Sequence, residues 1–390
     1  MIRVGFVMAQ AGQGWMGGIN YLSNLINSVM LLPNRQIEPV LILPPGVDAA
    51  VLAGFPPVER LETTMVVERS PSWVVRRGMR RVLGRDVLFE QWLRRHGIDV
   101  LSHADHLGSW ASLPTLCWIP DFQHRRLPAF FSAEELAGRD RGFKELADHC
   151  TLLIVSSLDA QRDLAAFAPH DVPKSRVLNF VSGLGGGVSP TPWPVLKDKY
   201  AIPGPYLHLP NQFWAHKNHG VVIEALGLLK AQGQSVCVLS TGHTKDARQP
   251  GYFDGLMARA HALGVAGAFR PLGLVPYEDL AGLMQHSAAV INPSLFEGWS
   301  TTVEESKSQG KTIILSDIPV HREQAPEFGQ FFSPQDPQQL ATLMEQVVQA
   351  WSPELDASRY EQARAALKAR FHRFGESYQR IVVEACHGQG

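Results

Sequence analysis

Short apolar runs alternate with longer segments of helical periodicity along most of the chain. The runs in the first half predict strands over 2–8, 38–43, 100–103, 115–119 and 152–156, and the periodic segments predict helices over 18–31, 76–95 and 132–148. In the second half, strands are predicted over 206–209, 236–240, 288–292 and 312–315, with a long helix over 353–384. Alternation of this kind is typical of βαβ units, so the sequence predicts an α/β fold with parallel sheets.

A stretch rich in glycine and proline, residues 182–205, separates the two halves. Because this composition resists regular structure, we expect two Rossmann-like domains, residues 1–185 and 200–369. The end of the chain, 370–390, would either close the second domain or return to the first. Two domains of this kind would face each other across a cleft, and ligands bind at the carboxyl ends of their strands. The loops that follow strands are therefore the places to look for chemistry.

The composition argues against nucleic-acid binding, a membrane span, and disulfide or metal sites formed by cysteines. The 390 residues include 36 Lys and Arg against 37 Asp and Glu, so there is no basic excess of the kind that nucleic-acid binding requires. No apolar run reaches the roughly 18 residues of a membrane span, and the N-terminus lacks the features of a signal peptide, so we expect a cytoplasmic protein. The four cysteines are widely spaced and predict neither disulfides nor a metal site.

The loop after the first strand contains a G-x-G-x-x-G pattern formed by Gly12, Gly14 and Gly17. A NAD site also needs an acidic residue about 20 positions further on, at the end of the second strand. That strand ends in Leu-Pro-Pro-Gly, and its acidic residue, Glu38, stands at its beginning. NAD is therefore disfavoured, but glycines still allow an anion or a sugar to approach the backbone, which makes Gly17 and Gly18 candidate donor contacts. The alternative is a tight turn without a ligand.

A second candidate follows the strand over 288–292. The loop after it holds Glu297, and a helix carrying Glu305 begins at three hydroxyl residues, Ser300, Thr301 and Thr302. Free amides at a helix N-terminus suit phosphate, and carboxylates suit the hydroxyls of a sugar, so this segment could bind a phosphorylated sugar. The alternative is that Glu297 is a loop charge and that Glu304 and Glu305 are ordinary acids of a first helical turn.

The same segment resembles the signature of the retaining GT-B glycosyltransferases of glycosyltransferase family 4, in which two glutamates are separated by seven residues. Here it reads Pro293-Ser294-Leu-Phe-Glu297-Gly298 and continues to Glu305, with Gly310 and a strand ending in Ser316-Asp317 after it. The resemblance implies that Glu297 contacts the donor sugar and Glu305 the nucleotide ribose. It also implies that the phosphates meet the backbone amides of Gly298, Trp299, Ser300, Thr301 and Thr302.

The loop after the first strand of the second half matches the same family. In the resembling enzymes this loop supplies a lysine to the donor diphosphate, commonly with an arginine five residues earlier. Lys217 takes the place of that lysine, and Gln212 stands where the arginine would be. One charge of the diphosphate is thus unmatched, and His216, helix amides or a group of the first domain would have to compensate for it. Gly273 occupies a position that, by the same resemblance, lines the nucleotide base.

In the first half, the sequence Pro120-Asp121-Phe-Gln-His124 resembles a family loop that often reads His-Asp and faces the acceptor and the donor sugar. Pro120 replaces the histidine, so His124 either substitutes for it or braces the loop together with Asp121. The candidate catalytic residues are therefore Glu297, Lys217, His124 and Asp121.

Five arginines lie between Arg76 and Arg85, interleaved with apolar residues. One interpretation is a solvated helix that packs on the core through its apolar face. The other is an interfacial helix that binds the anionic inner face of a membrane, where a lipid-linked acceptor would sit.

The resemblance as a whole implies a retaining hexosyltransferase that uses a nucleotide-diphosphate sugar as co-substrate and needs no metal and no other cofactor. The domain over 1–185 would bind the acceptor, and the domain over 200–369 would bind the nucleotide-sugar donor. The acceptor would be a glycan or a lipid-linked saccharide, in cell-surface polysaccharide synthesis. Retention could arise from same-face attack or from a double displacement through a carboxylate. Two alternatives remain open, namely a nucleotide-sugar epimerase of GT-B fold and a non-catalytic protein that binds sugar nucleotides.

Overall fold

The computed structural model describes residues 1–8, 16–183 and 189–387. The chain forms two compact α/β units. The first comprises residues 1–122, 133–181 and 368–390, and the second comprises residues 123–132 and 182–367. Gly12 and Gly14 of the first glycine loop, and residues 184–188 of the glycine- and proline-rich stretch, lie outside the described residues.

The first unit is built on a parallel sheet of seven strands in the order β3-β2-β1-β4-β5-β6-β7. Its strands are β1 (Ile2–Val7), β2 (Ile37–Leu43), β3 (Glu59–Glu62), β4 (Val100–Ser102), β5 (Thr115–Ile119), β6 (Leu152–Val155) and β7 (Ser175–Val177). Its helices are α1 (Met16–Met30), α2 (Ala49–Leu52), α3 (Pro71–Leu83), α4 (Val87–Arg95), α6 (Ala133–His149) and α7 (Leu158–Phe167). Two 3-10 turns, Thr64–Val66 and Pro169–Lys174, complete it. The predicted parallel α/β fold is confirmed.

The helix predicted over 76–95 is wrong, because two helices occupy this segment. Gly84 ends α3 in the left-handed region at φ 64°, a conformation that favours glycine. Asp86 then caps α4, since its side chain accepts a hydrogen bond from the amide of Phe89. A glycine followed by an N-cap aspartate is therefore the local reason for the break.

The second unit contains a parallel sheet of six strands in the order β10-β9-β8-β11-β12-β13. The strands are β8 (Tyr206–Leu209), β9 (Cys237–Thr241), β10 (Phe269–Gly273), β11 (Ala289–Asn292), β12 (Ile313–Ser316) and β13 (Gly329–Phe332). The helices are α5 (Gln123–Arg126), α8 (Trp193–Lys199), α9 (His219–Ala231), α10 (Tyr252–Ala262), α11 (Tyr277–His286), α12 (Thr301–Ser308), α13 (Pro319–Gln324) and α14 (Pro337–Ala350). Pro128–Phe130 and Ala215–Lys217 are 3-10 turns.

The last helix, α15 (Pro353–His387), begins in the second unit and ends in the first. In the first unit it packs on α1 and on the strands, where Tyr378 Oη donates to Ser102 Oγ at 2.7 Å. Gly375 permits this approach, since a Cβ atom there would lie 2.4 Å from the carbonyl oxygen of Ser28. Among the helices of the described residues, none has the length and apolar character needed to cross a membrane.

Candidate functional site

In the second unit, side chains from the loops after two neighbouring strands meet as a buried ion pair. Lys217 follows β8 and Glu297 follows β11. Lys217 Nζ donates to Glu297 Oε1 at 2.7 Å, and Ser294 Oγ donates to the same oxygen at 2.7 Å. Only 15% of the lysine side chain and 10% of the glutamate side chain are exposed. Burial alone would raise the pKa of Glu297, but the charge of Lys217 and these hydrogen bonds lower it to about 2. Glu297 is therefore ionised at physiological pH.

A buried network of amide and hydroxyl side chains supports this pair. Asn292, the last residue of β11, donates to Ser300 Oγ at 2.7 Å, and its Oδ1 lies 2.8 Å from Ser294 Oγ. Asn211, which follows β8, donates to Asn292 Oδ1 at 3.0 Å and accepts from Thr302 Oγ1 at 3.2 Å. These bonds fix the two loops to the start of α12. Asn211 and Asn292 were not among the sequence candidates, although each stands at the carboxyl end of a buried strand.

The N-terminus of α12 adjoins the same loop, as the sequence predicts. Ser300 is the N-cap, and its Oγ accepts from the amide of Val303 at 3.4 Å. Gln324 secures the cap from α13, accepting from the Ser300 amide and donating to its carbonyl oxygen. Gly298, Trp299 and Thr301 are partly exposed, whereas Thr302 is buried. The Ser300 and Val303 amides are used by these bonds, contrary to the expectation that the Ser300 amide meets a phosphate. Because amides of a first helical turn lack helical partners, those of Thr301 and Thr302 can bind an anion.

The adjacent glutamates of α12 have different surroundings. Glu304 accepts hydrogen bonds from Lys307 at 3.2 Å and from Gln324 at 3.1 Å, which gives it a structural role. Within the described part of the chain, Glu305 accepts one weak hydrogen bond, from Ser182 Oγ at 3.4 Å. Burial raises the pKa of Glu305 to about 8. A buried carboxyl group with so little support is free to bind a hydroxyl-bearing ligand.

The side chain of Gln212 forms a hydrogen bond inside the second unit. Its Oε1 accepts from the amide of His243 at 2.6 Å, which ties the loop after β8 to the loop after β9. Gly273 ends β10 at φ 70°, and its carbonyl oxygen accepts from the amide of Gly242 at 2.9 Å.

Burial and the charge of Lys217 lower the pKa of His216 to about 3. His216 is therefore neutral at physiological pH and does not replace the charge of the missing arginine, contrary to one of the sequence expectations.

The remaining sequence candidates are spread over both units. Gly17 and Gly18 lie in the first turn of α1, and Asp121 is a partly buried residue after β5 of the first unit. His124, on α5, belongs to the second unit and is fully buried against Phe131, with ring centroids 6.4 Å apart. Arg248 covers the same phenylalanine ring at 4.4 Å. The arrangement of His124 favours the interpretation in which it braces its loop.

In the arginine-rich segment, several charged side chains face the protein and several apolar side chains face solvent, the reverse of an ordinary surface helix. Three of its arginines form ion pairs within the first unit, Arg76 with Asp86, Arg80 with Asp105 and Arg85 with Glu90. Four apolar residues of α3 face solvent, namely Val74, Val75, Val82 and Leu83, and Val82 is 82% exposed, whereas Trp73 and Met79 are partly buried. No residue of α3 is buried. The interpretation in which this helix packs on the core through its apolar face is therefore wrong.

Residues 203–366 match the family model described as "Glycosyl transferases group 1". The second unit contains a group 1 glycosyltransferase domain. The matched residues include Lys217, Glu297 and Glu305. No curated protein sequence matches the chain significantly.

Solved structures of similar fold cover nearly the whole chain. A glycosyltransferase from Rickettsia africae gives a TM-score of 0.68 at 15% identity, with 99% of this chain and 98% of that chain covered. HepE from Anabaena, solved in complex with UDP and glucose, gives 0.70 at 16% identity, with coverage of 98% and 100%. Sucrose-phosphate synthase from Thermosynechococcus elongatus gives 0.66 at 14% identity, with coverage of 98% and 100%. The two Rossmann-like units therefore have the fold of GT-B glycosyltransferases.

Proposed function

We propose that this protein is a retaining glycosyltransferase of family 4 that moves a sugar from a nucleotide-diphosphate sugar to a glycan or a lipid-linked saccharide. The observation that carries the proposal is the cluster of Lys217, Glu297 and the N-terminus of α12, which lies at the carboxyl ends of neighbouring strands inside the group 1 domain. This cluster offers a cation and free amides to a diphosphate and a carboxylate to sugar hydroxyls.

Lys217 would donate hydrogen bonds to the diphosphate while keeping its bond to Glu297. An ammonium group has three N–H donors, and the bond to Glu297 uses one of them. The others are available to a phosphate oxygen, on which negative charge develops as the donor sugar departs. The Ser300 amide is already bonded to Gln324. Since Gln212 and His216 bring no charge, Lys217 and the amides of residues 298, 299, 301 and 302 would carry this stabilisation, and no metal ion would be required.

Glu297 and Glu305 would hold the two ends of the donor. The ionised Glu297 accepts hydrogen bonds from hydroxyls of the donor sugar, and Glu305 accepts them from the ribose. The group 1 domain and the UDP bound by the structural neighbour HepE support a nucleotide-sugar donor.

Retention rests on the spacing of these two glutamates, which matches the retaining enzymes that the chain resembles. In same-face attack, the departing phosphate oxygen takes the proton of the acceptor hydroxyl while the acceptor oxygen forms the new glycosidic bond. Double displacement would instead require a carboxylate as nucleophile. A covalent glycosyl intermediate trapped on the protein would identify double displacement.

We extend the proposal to a peripheral place on the inner face of the cytoplasmic membrane and to synthesis of cell-surface polysaccharide. The solvent-facing apolar residues of α3 lie beside the exposed Arg81, a combination that suits an anionic lipid surface. The protein should sediment with phosphatidylglycerol vesicles and less with phosphatidylcholine vesicles, and Val82→Asp should weaken this. Equal recovery in the supernatant with both vesicles would contradict membrane contact.

A thermal-shift screen tests the donor site. Wild-type protein is heated with UDP, GDP, ADP, dTDP or CMP, with NAD as the control, because a ligand that binds the native state raises the melting temperature. One nucleoside diphosphate should stabilise the protein, and the shift should shrink in Glu305→Ala. Stabilisation by NAD alone would contradict the proposed function.

A further inference from the structure

The first unit contains a cavity of about 700 Å³ at the carboxyl ends of its central strands. Val7 ends β1, His103 follows β4 and Pro120 follows β5, and all three line this cavity. The strand order reverses between β1 and β4. Open α/β sheets bind ligands at such a switch point, and the volume lies within the range of about 300–1,000 Å³ of small-molecule sites.

The walls of this cavity carry balanced charge. Four arginines line it together with four carboxylates. Arg76 Nε donates to Asp86 Oδ2 at 2.8 Å, and Arg80 Nη1 donates to Asp105 Oδ2 at 2.6 Å. The two other arginines are matched in number by two glutamates. A phosphate or carboxylate group would therefore find no excess of positive charge here, which favours an uncharged ligand.

Two indole rings line the walls, and neighbouring side chains contact both of them. Trp118 stacks on Tyr21 with ring centroids 4.3 Å apart and planes 9° apart, and its Nε1 donates to Ser156 Oγ at 3.1 Å. The guanidinium of Arg77 lies 4.8 Å from the ring centroid of Trp73. Fixed aromatic rings provide contact area at little cost in conformational entropy. Their electron-rich faces complement the polarised C–H bonds of a pyranose ring.

The Arg80–Asp105 pair supplies the polar part of the site. Asp105 is 58% exposed although Arg80 fixes one of its oxygens, so its remaining lone pairs can accept from hydroxyl groups. The amide of His106 donates to the other oxygen at 3.0 Å, which orients the carboxylate further. Donor and acceptor side by side suit a ligand whose hydroxyls both donate and accept.

We propose that this cavity binds an uncharged saccharide, with Trp73 and Trp118 against a sugar ring and the Arg80–Asp105 pair on its hydroxyls. This inference rests on the proposed function, because it makes the saccharide the acceptor of transfer. It narrows the acceptor to glycans whose reacting end carries no phosphate or carboxylate.

A glycan array with neutral and acidic saccharides tests this inference, using the labelled full-length chain with and without UDP. The wild-type protein should bind neutral glycans, and Trp73→Ala and Asp105→Asn should each weaken that binding at least tenfold. Trp110→Ala is the matched control, since Trp110 is 75% exposed and does not line the cavity. Unchanged melting temperatures of the two cavity variants verify that they are folded.

The outcomes separate this inference from the proposed function. Binding to acidic glycans alone, or neutral binding that survives both cavity substitutions, would overturn the inference. Absence of neutral binding in a protein that a nucleoside diphosphate stabilises would also overturn it and leave the donor site intact. Neutral binding that depends on Trp73, in a protein that no nucleotide stabilises, would support the cavity and count against the proposed function.

Discussion

Lys217 and Glu297 form a buried ion pair in which the charge of Lys217 keeps the pKa of Glu297 low. Replacing Lys217 by Met leaves a carboxylate without its cation, so we expect Lys217→Met to lower the free energy of unfolding by about 3 kcal/mol. We also expect it to abolish nucleotide binding. The double variant Lys217→Met/Glu297→Gln has no unpaired charge and should regain most of the stability without regaining nucleotide affinity. Urea unfolding and calorimetric titration measure both effects.

Two results would contradict this account of the pair. Wild-type stability of Lys217→Met would mean that Glu297 does not depend on the cation. Wild-type nucleotide affinity of the double variant would mean that Lys217 does not bind the diphosphate.

The protonation state of Glu305 should make the stability of the protein depend on pH. Burial raises its pKa from the ordinary value of 4.5 to about 8. The folded state thus binds this proton more tightly than the unfolded state, and the resulting stability is present below pH 4.5 and is lost as the pH rises through 8. Glu305→Gln carries no such proton, so its melting temperature relative to the wild type should increase between pH 5 and pH 8.

Nucleotide binding should favour the deprotonated form of Glu305, whereas burial without a ligand favours the protonated form. Ribose hydroxyls that donate to Glu305 favour its ionised form, so nucleotide affinity of the wild type should rise between pH 7 and pH 9, while that of Glu305→Gln should stay flat. Titrations across this range measure it, and parallel pH profiles for the two proteins would remove Glu305 from the ribose site.

The sequence identifies residue types at this site better than it identifies their partners. The motif spacing singles out Lys217, Glu297 and Glu305, but only the folded chain joins the first two across neighbouring strands. Gln212 is predicted as a donor contact, whereas its side-chain oxygen is bonded to a loop amide more than thirty residues away. Such pairings depend on which strands lie side by side, and local sequence does not encode that order.

At the scale of elements, strand position decides what the sequence can predict. The nine predicted strands are all interior strands of the two sheets, where buried apolar runs are continuous. The four unpredicted strands, β3, β7, β10 and β13, are the sheet edges. Edge strands are half-solvated, and β3 reads Glu-Arg-Leu-Glu, so they lack the apolar run that identifies a strand.

The close packing of α15 on α1 should make a glycine-to-alanine change destabilising at Gly375, although the same change stabilises an exposed helix. Glycine to alanine in an exposed helix normally stabilises by about 1 kcal/mol, which we expect for Gly138→Ala on α6, where a Cβ atom meets nothing within 4 Å. At Gly375 the new Cβ would clash with the Ser28 carbonyl, so Gly375→Ala should destabilise by about 2 kcal/mol. Thermal or urea unfolding of the two variants measures the contrast, and equal stabilisation by both would show that α15 does not pack closely on α1.

At the scale of the whole molecule, the two units differ in how much of their function the sequence reveals. The second unit carries the group 1 domain and its motifs over residues 203–366. The first unit has the same layered architecture, but its cavity is assembled from α3, α6 and three separate strand ends. Its residues are scattered over most of the first half, so no contiguous motif marks them.

Product analysis with the stabilising nucleotide's sugar donors and a panel of saccharide acceptors distinguishes sugar transfer from epimerisation and from binding alone. We expect nucleoside diphosphate and a new glycoside to appear in equal amounts, the anomeric configuration to be retained, and Lys217→Met to form neither product. Recovery of an isomerised nucleotide sugar without released diphosphate would show an epimerase. Recovery of the unchanged donor, bound but never consumed, would show a binding protein, and either result would contradict the account.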